Sequence, residues 1–161
     1  MVFRLVGIIG LSLLPALTAA GEVGLHQAMG KWIRSGGAEG ASYEPVGGMQ
    51  THGDVPRWLL APAGPAAVRA RLLDHGTYPE ATSLAWDREH GAVWVFGALD
   101  GGHGLRLVVD RDRQRPLSLR TTTGVRWVFS HYRQRGDRDT PVPGRLTRTG
   151  PDGAETVLTP R

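Results

Sequence analysis

Over the second half of the chain, apolar and polar residues alternate in short runs, a pattern typical of β-strands that are buried on one face. Clusters rich in Gly, Pro and Asp separate the runs and favour tight turns. The runs predict about seven strands, at Ser83–Trp86, Ala92–Ala98, Leu105–Asp110, Pro116–Thr122, Val125–Gln134, Arg145–Thr149 and Ala154–Thr159. Because the connections are short, consecutive strands are expected to pair as an antiparallel meander.

The alternation also assigns side chains to the two faces of this sheet. One face is expected to carry large apolar residues, namely Leu105, Leu107, Val109, Leu117, Leu119, Val125, Trp127 and Phe129. The opposite face carries polar and basic side chains, among them Arg106, Ser118, Arg120 and Arg126. Ala92–Ala98 is apolar on both sides, which favours a central or doubly covered strand.

Two helices precede the strands. The first has an apolar stripe at helical spacing, formed by Leu25, Ala28, Met29, Trp32 and Ile33, and Gly36-Gly37 is expected to end it. The second is predicted at Ala66–Asp74, with Pro65 in its first turn and Gly76 after its last.

The segments around the second helix are less regular. Residues 36–56 are rich in glycine and predict a loop with at most one short strand. Arg57–Ala61 is too short for its periodicity to decide between a strand end and a buried turn. The whole pattern predicts an α+β fold in which two helices pack on one face of an antiparallel sheet.

The N-terminus is typical of a secretory signal. A short region with Arg4 precedes an apolar core at Leu5–Leu17, and Thr18-Ala19-Ala20 supplies small residues for cleavage near Ala20. The apolar run is shorter than the roughly 20 residues that a membrane-spanning helix needs. No cysteine follows the core, so lipid attachment at the new N-terminus is excluded. We therefore expect residues 1–20 to be removed, and residues 21–161 to form a single exported, periplasmic domain.

Composition and charge limit the function further. The chain has no cysteine, so it folds without disulfides and without thiol chemistry. The net charge is −3 over Gly21–Leu105 and +7 over Arg106–Arg148. Two interpretations of the basic half stay open: a surface that meets an acidic partner, or arginines that solvate the outer face of a sheet. An exported protein has little access to nucleic acid, so no nucleic-acid partner is expected.

Motifs for catalysis are weak in this sequence. Gly97–Gly104 resembles a phosphate-binding glycine loop, but a strand follows it where such loops open a helix. The six histidines lack metal-ligand spacing, and the paired aspartates of the Arg-rich turns are explained by turn formation. We therefore expect neither an enzyme nor a bound metal or cofactor.

Several motifs of the strand region match a known family. They are the strand Ala92–Ala98, the strand and charged turn of Leu105–Leu119, the strand Val125–Tyr132 that ends in a tyrosine, and the closing hairpin at Asp152-Gly153. With these motifs, Trp58–Thr159 resembles the C-terminal part of the outer-membrane lipoprotein carrier and lipoprotein-sorting family of half-barrel proteins. The resemblance divides the domain into a helix and Gly-rich loop at 21–57 and a helix and antiparallel meander at 58–161.

The resemblance implies a curved sheet, an incomplete half-barrel, whose concave apolar face holds an acyl chain of a lipid or lipoprotein. The residues expected to line that face are Trp94, Phe96, Leu107, Val109, Leu119, Trp127 and Phe129. Family members have further strands between the two helices, and residues 37–57 are too few to supply them, so a shallower groove is expected. Two functions stay open: a carrier-like domain that binds an apolar ligand or a membrane-associated partner, and a small exported structural or interaction module whose apolar face is a protein interface.

Overall fold

The computed structural model describes residues 14–47, 55–97, 103–137 and 140–161. The helices among them are α1 (Leu14–Arg34), α2 (Arg57–Leu60) and α3 (Pro65–Asp74), and a short 3-10 turn lies at Pro79–Ala81. The strands are β1 (Tyr43–Pro45), β2 (Thr82–Asp87), β3 (Gly91–Gly97), β4 (Arg106–Asp110), β5 (Pro116–Arg120), β6 (Arg126–Ser130), β7 (Arg145–Thr149) and β8 (Glu155–Pro160).

The strands form one open antiparallel sheet in the order β1-β8-β7-β6-β5-β4-β3-β2. From β2 to β8 each strand pairs with the next along the chain, as the turn signals predict. The predicted α+β fold with a curved antiparallel sheet is confirmed. The described residues hold eight strands where about seven were expected, because β1 adds to the far edge by pairing with β8.

Local signals account for the helix ends. At the end of α1, Gly36 and Gly37 have φ angles of 70° and 55°, and the Gly37 N–H donates to the Trp32 carbonyl over 2.9 Å. Only glycine adopts this left-handed backbone without strain, which is why it ends helices. Pro65 begins α3, where its missing N–H removes no helical hydrogen bond. The undecided segment at Arg57–Ala61 forms the one-turn helix α2.

The core lies between the helices and one face of the sheet, which we call the inner face. Residues on the inner face either pair directly across neighbouring strands or lie two positions apart on the same strand. In β3 to β8 they include Phe96, Leu107, Leu119, Trp127, Phe129, Leu146 and Leu158. These side chains share one buried cluster with Met29 and Trp32 of α1 and with Val68 and Leu72 of α3. The helices therefore cover the centre of the inner face.

One predicted face assignment is wrong. Leu117 was expected beside Leu119, but it packs with Val93 and Val95 in a separate cluster on the opposite, outer face. The cause is a β-bulge: Val108 pairs with Ser118 and Val109 with Pro116, which leaves an extra residue in β5. A bulge interrupts the two-residue alternation of faces and turns the extra side chain to the other side.

The predicted signal segment falls mostly outside what the structure describes. Residues 1–13 lie outside the described residues, and the predicted cleavage point near Ala20 falls within α1. Cleavage and export stay predictions. None of the helices in the described ranges is both long enough and apolar enough to cross a membrane.

Candidate functional site

The residues predicted to line an apolar ligand site lie together on the inner face. Phe96, Leu107, Val109, Leu119, Trp127 and Phe129 are buried, each at most 2% exposed. Trp94 is half-buried at the edge of the same cluster. Their position on one face agrees with the sequence pattern, and their contact with a ligand stays a prediction.

Packing decides how much of this face a ligand could reach. Trp32 of α1 is fully buried, and its Nε1 donates a 2.7 Å hydrogen bond to the carbonyl oxygen of Leu59 in α2. Trp32 also meets the Tyr132 ring edge to face, with centroids 6.1 Å apart. Because the indole is held by both a hydrogen bond and ring packing, the centre of the inner face is occupied by protein side chains.

Open space remains at the margin of the inner face, beside α2 and α3. A groove of about 340 Å³, which we call the α2–sheet groove, is lined by Val55, Pro56, Arg57, Trp58, Arg71, His75, Leu105, Leu119, Thr121 and Trp127. Leu119 and Trp127 are thus the predicted site residues that line this groove. Its volume lies within the range of about 300–1,000 Å³ that small-molecule pockets occupy.

A second cavity lies next to the groove. It has a volume of about 390 Å³, and it is lined by Gly40, Ala41, Ser42, Tyr43, Val55, Arg57, Leu60 and Ala61. Val55 and Arg57 line both spaces, so the groove and the second cavity adjoin at these two residues. The second cavity extends from this point toward β1, since Tyr43 is in its lining.

The groove has an apolar interior and a basic rim. Leu105, Leu119 and Trp127 come from the sheet and are buried, whereas Arg57 and Arg71 are exposed. Arg71 has one weak ion pair, 3.8 Å from Asp74, and both side chains are more than half exposed. Such a pair holds its arginine loosely, so the guanidinium can turn toward an anion at the groove.

The charged turn between β4 and β5 serves the fold. Asp110 is 1% exposed, and its Oδ1 accepts hydrogen bonds from the backbone N–H groups of Asp112 and Arg113, at 3.0 and 2.9 Å. The Arg115 guanidinium lies 4.0 Å from the Tyr132 ring centroid. Burial lowers the pKa of Arg115, and its neighbours Tyr132 and Asp110 offset part of this effect. The prediction that Asp110 serves turn formation is therefore confirmed.

The Asp87 carboxylate has a similar role between β2 and β3. Its Oδ1 lies 2.9 Å from the His90 Nδ1, and it accepts hydrogen bonds from the backbone N–H groups of Glu89 and His90. The hydrogen bond with His90 lowers the pKa of Asp87. In the ranges that the structure covers, no three His, Asp or Glu side chains come together as metal ligands would.

The helical side of the groove was not predicted from the sequence. Val55, Trp58, Arg57 and Arg71 line it, but Arg57–Ala61 is too short for periodicity to reveal a helix. The usable signal was Trp58 itself, a large aromatic residue next to a basic one in a short apolar run. Comparison with models of protein families, with curated proteins and with solved structures found no match to this chain.

Proposed function

We propose that this chain is an exported, non-enzymatic binding protein that takes the acyl chain of a lipid or lipoprotein in the α2–sheet groove. The observation that carries the proposal is the groove itself, an apolar channel at the margin of the inner face with arginines at its mouth. The resemblance to the lipoprotein-carrier family supports the same class of ligand.

The apolar interior supplies the affinity. Each methylene group moved from water into an apolar site contributes about 0.8 kcal/mol. Leu105, Leu119 and Trp127 form the buried base of the groove, and the half-buried Trp58 offers accessible aromatic surface on the helical side. An acyl chain longer than the groove can continue past Val55 and Arg57 into the adjoining cavity.

The basic rim supplies the orientation. Guanidinium groups bind carboxylates and phosphates through paired hydrogen bonds, so Arg57 and Arg71 suit the anionic end of a lipid. The chain would then lie inward along Trp127 with its anionic end at the mouth.

Tryptophan fluorescence tests the proposal, because Trp58 and Trp127 both line the groove. Brominated stearate should quench part of the emission of the purified chain in a saturable way, and Trp58→Phe should reduce the quenched part. Arg57→Gln and Arg71→Gln should weaken the binding of stearate more than that of its uncharged methyl ester. Arg88→Gln, in an exposed turn away from the groove, is the charge-matched control.

Saturable binding that falls with the rim variants and not with Arg88→Gln supports an acyl-chain site. Quenching that does not saturate, or that Arg88→Gln reduces equally, contradicts it. Mass spectrometry of lipids that copurify with the chain then identifies the natural ligand.

One observation favours the alternative, an interaction module with an apolar sheet face as its interface. Leu84 and Trp86 of the edge strand β2 are 56% and 79% exposed. Leu84 lies directly opposite Trp94, so its exposed side chain continues the inner face to the edge of the sheet, whereas Trp86 also borders the hollow on the outer face. Sedimentation velocity tests it: a concentration-dependent dimer abolished by Trp86→Ser would favour the interface, and a monomer at all concentrations would count against self-association.

A further inference from the structure

Three arginines lie side by side across the outer face of the sheet. In the strand register Arg106 of β4 lies directly opposite Arg120 of β5, and Arg120 lies directly opposite Arg126 of β6. Residues paired in this way have Cβ atoms about 5 Å apart, and like charges at such positions repel one another. We call these three residues the arginine row. Two members of the arginine row, Arg106 and Arg126, have no ion-pair partner among the described carboxylates.

The arginine row borders a hollow in the outer face. The hollow has a volume of about 400 Å³, and all three arginines line it. Its apolar lining includes Val93, Val108, Leu117 and Val128. Leu117 reaches this face only because of the β-bulge, so the irregularity of β5 helps to build the hollow.

The acidic residues of the hollow lie at its other end. Asp87 and Glu89 also line it, but Asp87 lies opposite Gly91 of β3, whereas Arg106 lies opposite Gly97. Six residues of strand separate these positions, a distance of about 20 Å. Asp87 is moreover engaged by His90 in the β2–β3 turn. The hollow is therefore basic at one end, largely apolar in its middle and acidic at the other end.

We propose that the hollow binds a phosphate group attached to an apolar body, with Arg106 and Arg126 on the phosphate and Val108, Leu117 and Val128 on the apolar part. Guanidinium groups match phosphate oxygens geometrically, and two of them suit a group that carries up to two negative charges. This site lies on the face opposite the α2–sheet groove and does not depend on the function proposed for that groove. A phosphate of this kind occurs both in soluble compounds and in lipid headgroups.

Calorimetric titration of the purified chain with inorganic phosphate and with hexyl phosphate tests the site. Hexyl phosphate should bind more tightly, because it adds contact with the apolar lining. Arg106→Gln and Arg126→Gln should each weaken its binding about tenfold or more, since a charge-assisted hydrogen bond of about 1.5 kcal/mol corresponds to that factor. Arg145→Gln is the matched control, since Arg145 is an exposed arginine of β7 that does not line the hollow.

The source of the phosphate is distinguished by a second arm, cosedimentation with phosphatidylcholine vesicles with and without phosphatidylglycerol. Binding of hexyl phosphate but not of anionic vesicles assigns a soluble phosphate compound, whereas binding of both that depends on Arg106 assigns a lipid headgroup. The proposal is overturned if no probe binds saturably, or if Arg145→Gln weakens binding as much as the row variants. Circular dichroism of each variant verifies that the fold is kept.

Discussion

The indole Nε1 of Trp32 donates a hydrogen bond of 2.7 Å to the carbonyl oxygen of Leu59. The bond is buried, and it connects the long helix α1 to the one-turn helix α2 across 27 positions of sequence. Because α2 carries Trp58 and Arg57, this contact helps to hold one wall of the α2–sheet groove against the core, together with the buried side chains of Leu59 and Leu60.

Trp32→Phe should therefore destabilise the protein. The Leu59 carbonyl loses its donor, and an unsatisfied buried acceptor costs about 1–3 kcal/mol. The smaller ring also leaves a cavity in place of part of the buried indole, which adds to the loss. Urea denaturation measures this loss in the free energy of unfolding. Trp86→Phe is the control, because Trp86 is 79% exposed and such substitutions change stability by at most about 0.5 kcal/mol. Equal stability of the two variants would contradict the role given to the hydrogen bond.

Two tyrosines should make the fold sensitive to alkaline pH. Burial raises the pKa of Tyr43 to about 12 and the pKa of Tyr132 well above its ordinary value of 10.0. At a pH between a tyrosine's ordinary pKa, which applies in the unfolded chain, and its raised pKa in the folded chain, the unfolded chain loses a proton that the folded chain keeps. The free energy of unfolding therefore falls as pH rises. The loss should begin near pH 10 and continue through pH 12. Tyr43→Phe, measured by urea denaturation across this range, should make the decline shallower; an unchanged slope would contradict the prediction.

Gly37→Ala should lower the stability of the protein by disturbing the packing of α1 against α2. Gly37 has a φ of 55°, and a side chain there would come within 2.7 Å of the Trp32 Cε2 and would collide with the Leu60 carbonyl oxygen. The left-handed backbone alone costs a non-glycine residue about 1–3 kcal/mol, and the collision adds to it. Thermal denaturation should show a lower midpoint. Gly104→Ala should leave the midpoint unchanged, since nothing lies within 4 Å of its added carbon and its φ is not positive.

A double-mutant cycle tests the β-bulge in β5. Leu117 packs with Val95 on the outer face, so Leu117→Ala and Val95→Ala should couple by at least about 0.5 kcal/mol. Leu117→Ala and Leu146→Ala should be additive, because Leu146 belongs to the inner-face cluster. Free energies of unfolding of the single and double variants measure both couplings. Coupling to Leu146 and none to Val95 would place Leu117 on the inner face instead.

Much of the fold was predictable from local signals. The alternation in Leu105–Asp110 and Val125–Gln134 predicted β4 and β6, and Gly36-Gly37 predicted the end of α1. The loop at 36–56 was expected to hold at most one short strand, and it holds β1. These predictions succeed because a strand face, a helix stripe and a helix end depend on residues within a few positions of one another.

The candidate sites were predictable only in part. Leu119 and Trp127 were assigned to an apolar lining from their alternation alone, and both line the groove. The opposite wall was missed, because Trp58 and Arg71 reach the groove from separate helices. The outer hollow was not predicted either. Leu117 lines it from the outer face, whereas strict alternation assigns Leu117 to the inner face.

The sequence by itself determined the strands, their antiparallel order and the apolar character of one face, because those properties follow from side-chain alternation and turn chemistry along the chain. Tertiary structure alone decided which part of that face the helices fill, where the groove remains open, and that Arg106, Arg120 and Arg126 stand in one row. Strand register and helix docking depend on contacts between residues far apart in sequence, and a single extra residue in β5 changes both the register and the face of Leu117.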